Sequence, residues 1–138
     1  MNDDPARSGY FTAVVADDLA SVRKMIGLAL ERTGAIRVVA QARDGDEAIE
    51  AVERTRPDVV VLDLEMPKLG GLEVVPDLRA LVPDAVIAVF SGLADLLGPE
   101  VASSGVDFHV DKQSSLENFV AELMSELTVR RVTGTDKS

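Results

Sequence analysis

Short apolar runs alternate with segments of helical periodicity along most of the chain, and this alternation constrains the fold more than any other feature. The apolar runs cover residues 11–16, 36–40, 59–62, 85–90 and 106–110. They are predominantly apolar, which is typical of strands that are buried on both faces. Parallel strands joined by helices need right-handed crossovers, which place helices on both faces of one sheet. The sequence therefore predicts a doubly wound α/β domain with five parallel strands.

Two capping boxes indicate where the second and the last helix begin. Asp44 and Glu47 form a D-x-x-E box, and Ser114 and Glu117 form an S-x-x-E box. Apolar stripes on the first and last helices are expected to face the core. Their members are Val22, Met25, Ile26, Ala29 and Leu30 on the first helix, and Leu116, Phe119, Val120, Leu123, Met124 and Leu127 on the last.

Proline residues affect two further helices. The third helix is predicted over residues 72–81, and Pro76 is expected to kink it or delay its start because proline lacks a backbone donor. Pro99 suits the first position of a short fourth helix that ends near residue 105.

Size and charge exclude several classes of protein. The 138 residues fit one ordinary domain, and no apolar run approaches the ~20 residues of a membrane-spanning helix. The first residues, MNDDPARSG, lack the features of a signal peptide, so we expect a cytoplasmic protein without a membrane partner. The absence of cysteine excludes disulfides, thiolate metal sites and cysteine nucleophiles. The net charge of −10 argues against direct binding to nucleic acids.

Polar residues stand at the ends of four predicted strands. Asp17 and Asp18 follow the first strand, Asp63 follows the third, Ser91 follows the fourth, and Lys112 comes shortly after the fifth. In doubly wound sheets, ligands bind beyond the carboxyl ends of the strands, where the strand order reverses. We therefore expect these side chains to meet at one edge of the sheet.

The chemistry of this set predicts a cation and an anionic ligand. Three carboxylates in one cleft repel one another, so a cation is needed to neutralise them. Mg²⁺ favours a few carboxylate oxygens, keeps several waters and shares its coordination with phosphates. Lys112 then supplies a compact positive charge for the anionic group, and Ser91 donates a hydrogen bond to one of its oxygens.

These residues together resemble the receiver domain of the response regulators of bacterial two-component systems. The matching motifs are Asp17-Asp18, D-L-E-M-P-K-L-G-G from Asp63 to Gly71, Ser91-Gly92 and Lys112. The resemblance covers roughly residues 10–130 and implies a flavodoxin-like (βα)5 fold with strand order 2-1-3-4-5. The stretch over residues 38–74 looks most like receivers that precede helix-turn-helix transcription factors.

The resemblance also implies a role for each matching residue. Asp63 is the implied phosphoacceptor, which attacks the phosphoryl group of a histidine kinase, a phosphotransfer protein or a small donor. Asp17, Asp18, Asp63 and the backbone carbonyl of Glu65 are the implied Mg²⁺ ligands. The metal and Lys112 would stabilise charge on the phosphoryl oxygens during in-line displacement. The chain would then be a signalling switch that catalyses only its own phosphorylation and dephosphorylation.

Phosphorylation is the implied input of the switch, because it adds about −1.5 to −2 charge and three acceptor oxygens. Ser91 would move toward the new oxygens. In the family, an aromatic residue on the fifth strand then fills the space that this movement vacates. His109 occupies that position here, and since imidazole titrates near neutrality we hypothesise that switching depends on pH. The implied output face comprises the fourth helix, fifth strand and fifth helix, and a homodimer through it is a further hypothesis.

Two departures from the family pattern lie close to the site. Gln113 follows Lys112 where proline is usual, which leaves the conformation of that loop open. Glu65, two residues after Asp63, carries a side chain that can reach the attacking water or Lys112. We expect Glu65 to tune the lifetime of the phosphoryl group, in a direction that the sequence leaves open.

The predicted boundaries are a flexible N-terminus over residues 1–9, a receiver domain over 10–130 and a flexible tail or linker over 131–138. Two organisations stay open, a stand-alone receiver and the N-terminal piece of a longer regulator. If such a longer regulator controls genes, a module outside this receiver would contact the DNA.

Other functions must be weighed against the receiver interpretation. Taken singly, the aspartates could be helix caps or turn residues and Lys112 a solvated side chain, but their coincidence at four strand ends favours a shared site. A receiver that binds partners without phosphorylation is one alternative. A Mg²⁺-dependent phosphohydrolase with an aspartyl nucleophile is another, although one large family of that kind has D-x-D after its first strand and a cap domain. A flavin or nucleotide carrier of flavodoxin-like fold would need a hydroxyl- and glycine-rich phosphate loop after the first strand, where this chain has ADDLAS.

Overall fold

The computed structural model describes residues 9–67, 71–94 and 96–134, and within these residues five strands alternate with five helices. The elements in chain order are β1 (Phe11–Ala16), α1 (Ala20–Glu31), β2 (Ile36–Ala42), α2 (Gly45–Thr55), β3 (Val59–Leu62), α3 (Gly71–Leu81), β4 (Val86–Ser91), α4 (Gly98–Ala102), β5 (Phe108–Asp111) and α5 (Leu116–Gly134). The predicted alternation of strands and helices is confirmed.

The strands form one parallel sheet in the order β2-β1-β3-β4-β5. This is the order that the family resemblance implies. The chain moves outward from β1 to β2 and then returns to the other side of β1 for β3. The strand order therefore reverses between β1 and β3, and the crevice beyond the carboxyl ends of these two strands is where a ligand is expected.

Two apolar layers enclose the sheet. On one face α2, α3 and α4 contribute buried side chains such as Val52, Val75 and Val101. On the other face α1 and α5 contribute Ile26 and Phe119. Residues of β1, β3 and β4 enter both layers in alternation, which explains why their sequences are almost entirely apolar. β2 lies at the sheet edge and alternates between buried and exposed residues.

The two predicted capping boxes differ in outcome. At α2 the Asp44 carboxylate accepts a hydrogen bond from the Glu47 amide at 2.8 Å, as predicted. At α5 the capping oxygen is that of Ser115, which accepts from the Asn118 amide at 2.9 Å. The prediction of Ser114 as the cap was wrong by one residue, because α5 begins at Leu116 and Ser115 directly precedes it, while the Ser114 hydroxyl accepts from Nδ2 of Asn118.

Helix α3 starts earlier than its proline suggested. It begins at Gly71 and continues through Pro76 to Leu81, so the predicted delay of its start was wrong. Pro76 lies on the exposed face of the helix, where water can satisfy the carbonyl that loses its partner. Met25 was also assigned wrongly, since its side chain is 50% exposed while its neighbour Ile26 is buried.

The region around β5 departs from the predicted boundaries for a local reason. The strand begins at Phe108 instead of residue 106, and α4 ends at Ala102 instead of near residue 105. Asp107 lies just before β5, and its carboxylate accepts a hydrogen bond from the Ile87 amide at 2.8 Å. A side chain thus supplies the acceptor for this β4 amide, and regular strand pairing starts one residue later.

Helix α5 continues to Gly134, so the first four residues of the predicted flexible tail are helical. Each further helical residue adds one backbone hydrogen bond, and neither proline nor glycine precedes Gly134 in this segment. Residues 1–8 and 135–138 lie outside the described residues, so flexibility of the two ends stays a prediction. Within the described part of the chain, no helix is long and apolar enough to cross a membrane.

Candidate functional site

The structure brings together the polar residues that end β1, β3 and β4 and that follow β5. Asp17 and Asp18 follow β1 directly, Asp63 follows β3, Ser91 is the last residue of β4, and Lys112 comes directly after β5. The parallel pairing of β1 with β3 and of β3 with β4 aligns these strand ends at one edge. The predicted convergence is confirmed at the carboxyl ends of the strands, beside the point where the strand order reverses.

The three aspartates form an acidic cluster. Each offers a carboxylate oxygen, and these oxygens lie within 4.8 Å of one another. Asp17 and Asp63 are buried, at 1% and 3% exposure, whereas Asp18 is exposed. The cluster therefore combines two carboxylates held in the protein with one that faces solvent.

Lys112 is the cation of the site. Its Nζ donates to Oδ2 of Asp17 at 2.6 Å and to Oδ2 of Asp63 at 3.3 Å. Burial alone lowers the pKa of Lys112, but the hydrogen bond to Asp17 and the charges of Asp63 and Asp17 together raise that pKa above its usual value. Lys112 is thus fully charged at neutral pH and lies next to Asp63.

Asp63 is held by donors on several sides. The Glu65 amide donates to its Oδ1 at 3.1 Å, and Ser91 also contributes a hydrogen bond to its carboxylate. Burial raises the pKa of Asp63 above its usual value, and the charge of Asp17 adds to the increase, although these two hydrogen bonds and Lys112 act in the opposite direction. Three carboxylates share the site with one lysine, so Lys112 balances only part of their negative charge.

Backbone contacts fix Asp17 as well. Its amide donates to the carbonyl of Ala42 at 3.0 Å, and its Oδ1 accepts from the Leu19 amide at 3.0 Å. Its carbonyl accepts from Nη1 of Arg23 at 2.8 Å. The contact with Arg23 was missed by the sequence analysis, because an arginine one turn into an amphipathic helix gives no signal of its own.

Gly71 was also missed as a site residue. A β-carbon at this position would overlap the backbone carbonyl oxygen of Asp63 and lie 3.0 Å from the α-carbon of Leu64. The start of α3 thus packs directly on the backbone that carries Asp63. The glycine pair at residues 70 and 71 was the available signal, but the sequence alone did not indicate what approached it.

The remaining predicted site residues lie around the cluster. His109 is half-buried on β5 and stands opposite Val89 of β4 in the register. Glu65 is exposed, and its Oε2 would lie 3.5 Å from a β-carbon placed on Gly92, so this side chain reaches the start of the loop after β4. Neither residue forms part of the acidic cluster.

The loop after Lys112 uses the residue that departs from the family pattern. The backbone amide of Gln113 donates to Oδ1 of Asp111 at 2.8 Å, a bond that proline could not make. The amide of Lys112 donates to the carbonyl of Ser91 at 3.1 Å. The loop that carries Lys112 is therefore held by one hydrogen bond within the loop and by one to the end of β4.

The residues present fit a hard divalent cation. The donor set consists of carboxylate oxygens, one of the three carboxylates faces solvent, and the pKa of Asp63 is raised by burial and by its acidic neighbour. Mg²⁺ suits such a site, since it uses few protein oxygens and keeps several waters. A cation of this kind would offset the charge that Lys112 leaves uncompensated.

The fold and the site together define a signalling domain of the response-regulator type. Residues 13–124 match the family model of the response regulator receiver domain, and the chain therefore belongs to this family. It is a receiver domain of two-component response regulators, and the prediction made from its motifs is confirmed.

Curated relatives of the chain are named as enzymes that act on protein glutamate and glutamine. It is 36% identical to a protein-glutamate methylesterase/protein-glutamine glutaminase of Nitratidesulfovibrio vulgaris, over 91% of this chain and 37% of that protein. A protein of the same name from Azospirillum brasilense is also 36% identical, over 90% of this chain and 32% of that protein. The chain thus spans about a third of the length of these relatives, and the match covers their receiver domain.

Solved structures with the same fold include a LuxR-family response regulator and the response regulator domain of CheB. A LuxR-family two-component response regulator from Aurantimonas superposes with a TM-score of 0.79 at 28% identity, covering 86% of each chain. The response regulator domain of CheB from Thermotoga maritima superposes with a TM-score of 0.76 at 25% identity, covering 86% of this chain and 94% of that one.

Proposed function

We propose that this receiver domain accepts a phosphoryl group on Asp63 and that the resulting change of charge switches its output face. The observation that carries the proposal is the position of Asp63 at the carboxyl end of β3, with Lys112 Nζ 3.3 Å from its Oδ2 and a hydrogen bond from Ser91. A nucleophile, a fixed cation and a hydroxyl donor thus surround one point at the edge of the sheet. This arrangement suits the transfer of an anionic group to a carboxylate.

The transfer is an in-line displacement. A carboxylate oxygen of Asp63 attacks phosphorus, and the bond from phosphorus to the donor breaks, so that the donor leaves with the electron pair. The donor is the phosphohistidine of a histidine kinase or phosphotransfer protein, or a small acyl phosphate. Lys112 is placed to hold negative charge on a phosphoryl oxygen, and Ser91 is placed to donate to another.

Mg²⁺ would be held by Asp17, Asp18, Asp63 and the backbone carbonyl of Glu65. When bound, it would supply positive charge to the phosphoryl oxygens. Asp17 already engages both carboxylate oxygens with Leu19 and Lys112, whereas Asp18 faces solvent. Asp18 is therefore the acid of the cluster that is most accessible to a cation arriving from solution.

The switch connects Asp63 to the face formed by α4, β5 and α5. Ser91 ends β4, and its Oγ accepts a hydrogen bond from the Leu93 amide at 3.2 Å, so a movement of Ser91 would carry the loop that leads to α4. His109 of β5 lies beside Val89 of β4, and its side chain is placed to change position when that loop moves. Glu65, which reaches toward Gly92, is placed to tune the lifetime of the phosphoryl group.

The output of the switch is a separate part of the proposal. The curated relatives are named as methylesterases, and one of the solved structures is named as a LuxR-family regulator. An attached effector domain of either class therefore fits the receiver. The match covers only the receiver part, and we assign no esterase chemistry to this chain. We propose that it acts through a partner domain or a phosphorylation-dependent homodimer, without touching DNA itself.

The test is intact mass spectrometry after incubation with acetyl phosphate, with Mg²⁺ or with EDTA. The wild type is expected to gain one phosphoryl group only with Mg²⁺, and Asp63→Asn none. Asp77→Asn, a substitution on the exposed face of α3, is the matched control and should label like the wild type. An unlabelled wild type that a phosphorylated histidine kinase also fails to label would favour a receiver that works without phosphorylation.

A further inference from the structure

Arg23 joins the loop after β1 to the end of β2. It lies one turn into α1 and is half-buried, and its Nη1 donates to the backbone carbonyl of Asp17 at 2.8 Å. Its Nε donates to Oε1 of Gln41 at 3.2 Å. The two bonds use different nitrogens of one planar guanidinium, so the direction of the group is fixed as well as its position.

The carbonyl that Arg23 holds belongs to the peptide that leads into Asp18. Because a peptide unit is planar, the carbonyl of Asp17 and the amide nitrogen of Asp18 turn together. The remaining polar groups of Asp17 are also held: its amide donates to the carbonyl of Ala42, and its carboxylate accepts from Leu19 and Lys112. Arg23 thus fixes the plane from which the exposed carboxylate of Asp18 departs.

We propose that Arg23 is a positioning residue for the acidic site, which sets the direction of the Asp18 carboxylate and thereby the affinity of the cluster for Mg²⁺. This inference rests on the proposed function, since it concerns the same cation. Arg23 does not touch the reacting atoms in this proposal. It acts through the backbone between Asp17 and Asp18.

Charge and positioning make opposite predictions for this residue. Arg23 is a cation near three carboxylates, so removal of its charge alone would strengthen the binding of Mg²⁺. Loss of a group that orients a metal ligand weakens binding, typically by ~10–100-fold. The sign of the change in Mg²⁺ affinity therefore separates the two effects.

The experiment is a titration of backbone amide NMR shifts with Mg²⁺. It reads the resonances of the folded protein, so a partly unfolded variant still yields a dissociation constant. We expect Arg23→Ala to raise that constant about tenfold, the lower end of the range for such residues. Arg23→Lys, which lacks the fork but can still donate one hydrogen bond to the Asp17 carbonyl, should bind Mg²⁺ with intermediate affinity. Gln41→Ala, on an exposed side chain, should weaken binding less than Arg23→Ala.

Lys24→Ala is the matched control, because Lys24 is the neighbouring exposed cation of α1. It should leave the dissociation constant unchanged or slightly lower. A second readout is the rate of labelling by acetyl phosphate, which in Arg23→Ala should return close to the wild-type rate at saturating Mg²⁺. A purely structural role for Arg23 would lower thermal stability and leave the dissociation constant of the folded protein unchanged.

The outcomes for this inference and for the proposed function are distinct. If the wild type shows no Mg²⁺-dependent shifts at the loops carrying Asp18 and Asp63, the metal requirement of the proposed function fails. If the wild type binds Mg²⁺ and Arg23→Ala binds equally well or more tightly, the inference about Arg23 is overturned while the proposed function stands.

Discussion

Gly71 packs so closely on Asp63 that a β-carbon at residue 71 would overlap the backbone carbonyl oxygen of the aspartate. The first residue of α3 therefore limits how the chain can turn after β3. The direction in which Asp63 leaves its strand depends on a residue eight positions further along the chain.

Gly71→Ala should accordingly disturb both stability and the site. The added methyl group meets backbone instead of a flexible side chain, so we expect the free energy of unfolding to fall by about 1–3 kcal/mol. Labelling by acetyl phosphate should slow as well. Gly98→Ala is the matched control, because a β-carbon at Gly98 meets nothing within 4 Å. If urea denaturation shows that both variants lose the same free energy of unfolding, the packing argument is contradicted.

Asp63→Asn should stabilise the protein in the absence of Mg²⁺. The pKa of Asp63 is raised in the folded state, so the stability that its protonated form contributes is complete below its ordinary value of 3.8 and is lost as pH rises through the raised value. At neutral pH we expect the asparagine variant to be the more stable of the two, because it does not bury this ionised carboxylate. Urea denaturation in EDTA from about pH 3 to about pH 7 should show this difference growing with pH. A difference that does not change with pH would be the opposing result.

Lys112→Met should separate Mg²⁺ binding from phosphoryl transfer. Removal of the cation leaves Asp17 and Asp63 without a charged donor, so we expect a loss of about 1–3 kcal/mol of stability in EDTA. Binding of Mg²⁺ should tighten because the competing charge is gone, while phosphorylation by acetyl phosphate slows by about 100-fold. Amide NMR titrations and intact mass kinetics measure the two quantities. Weaker Mg²⁺ binding in this variant would indicate that Lys112 orients the aspartates for the cation instead of competing with the cation for them.

An ion-pair network at the amino ends of the strands should matter for stability alone. Asp107 accepts from Arg79 at 2.9 Å and from Arg130 at 2.7 Å, which ties α3 and α5 to the segment before β5. Asp107→Asn leaves two guanidinium groups without their shared charge, at a cost of about 1–3 kcal/mol. The urea midpoint should fall with an unchanged slope, while Mg²⁺ binding stays as in the wild type. Asp77→Asn, on the exposed face of α3, is the control, and an equal loss in both variants would deny the network this role.

The strand cores were the most predictable part of this fold. The limits of β1 and β3 agree with the sequence analysis, because central strands buried on both faces must be apolar along their whole length. The site residues were predictable for a related reason: charged or polar side chains that end such strands have no role in the apolar layers. Asp17 and Asp63 could therefore be selected as candidate site residues from the sequence alone, whereas Lys112, which follows the half-buried edge strand β5, was selected because it matches the motif pattern of the family.

The contacts that refine the site could not be predicted in this way. Arg23 and Gly71 each contact the backbone of a site residue six or eight positions earlier in the chain. Arg23 looks like any other polar residue of an amphipathic helix, and the glycine pair that includes Gly71 does not indicate which backbone packs against it. The start of β5 depends on Asp107, whose carboxylate replaces a strand acceptor for Ile87. Such contacts arise from tertiary packing, which local propensity and periodicity do not encode.

The most direct test of the central claim is to locate the phosphoryl group on the chain. Borohydride reduces an aspartyl phosphate to homoserine and leaves free carboxylates unchanged, so peptide sequencing by mass spectrometry identifies the modified residue. After treatment with acetyl phosphate and Mg²⁺, we predict homoserine at position 63 and unmodified aspartate at positions 17 and 18. Homoserine at another aspartate, with Asp63 intact, would contradict the assignment of the phosphoacceptor.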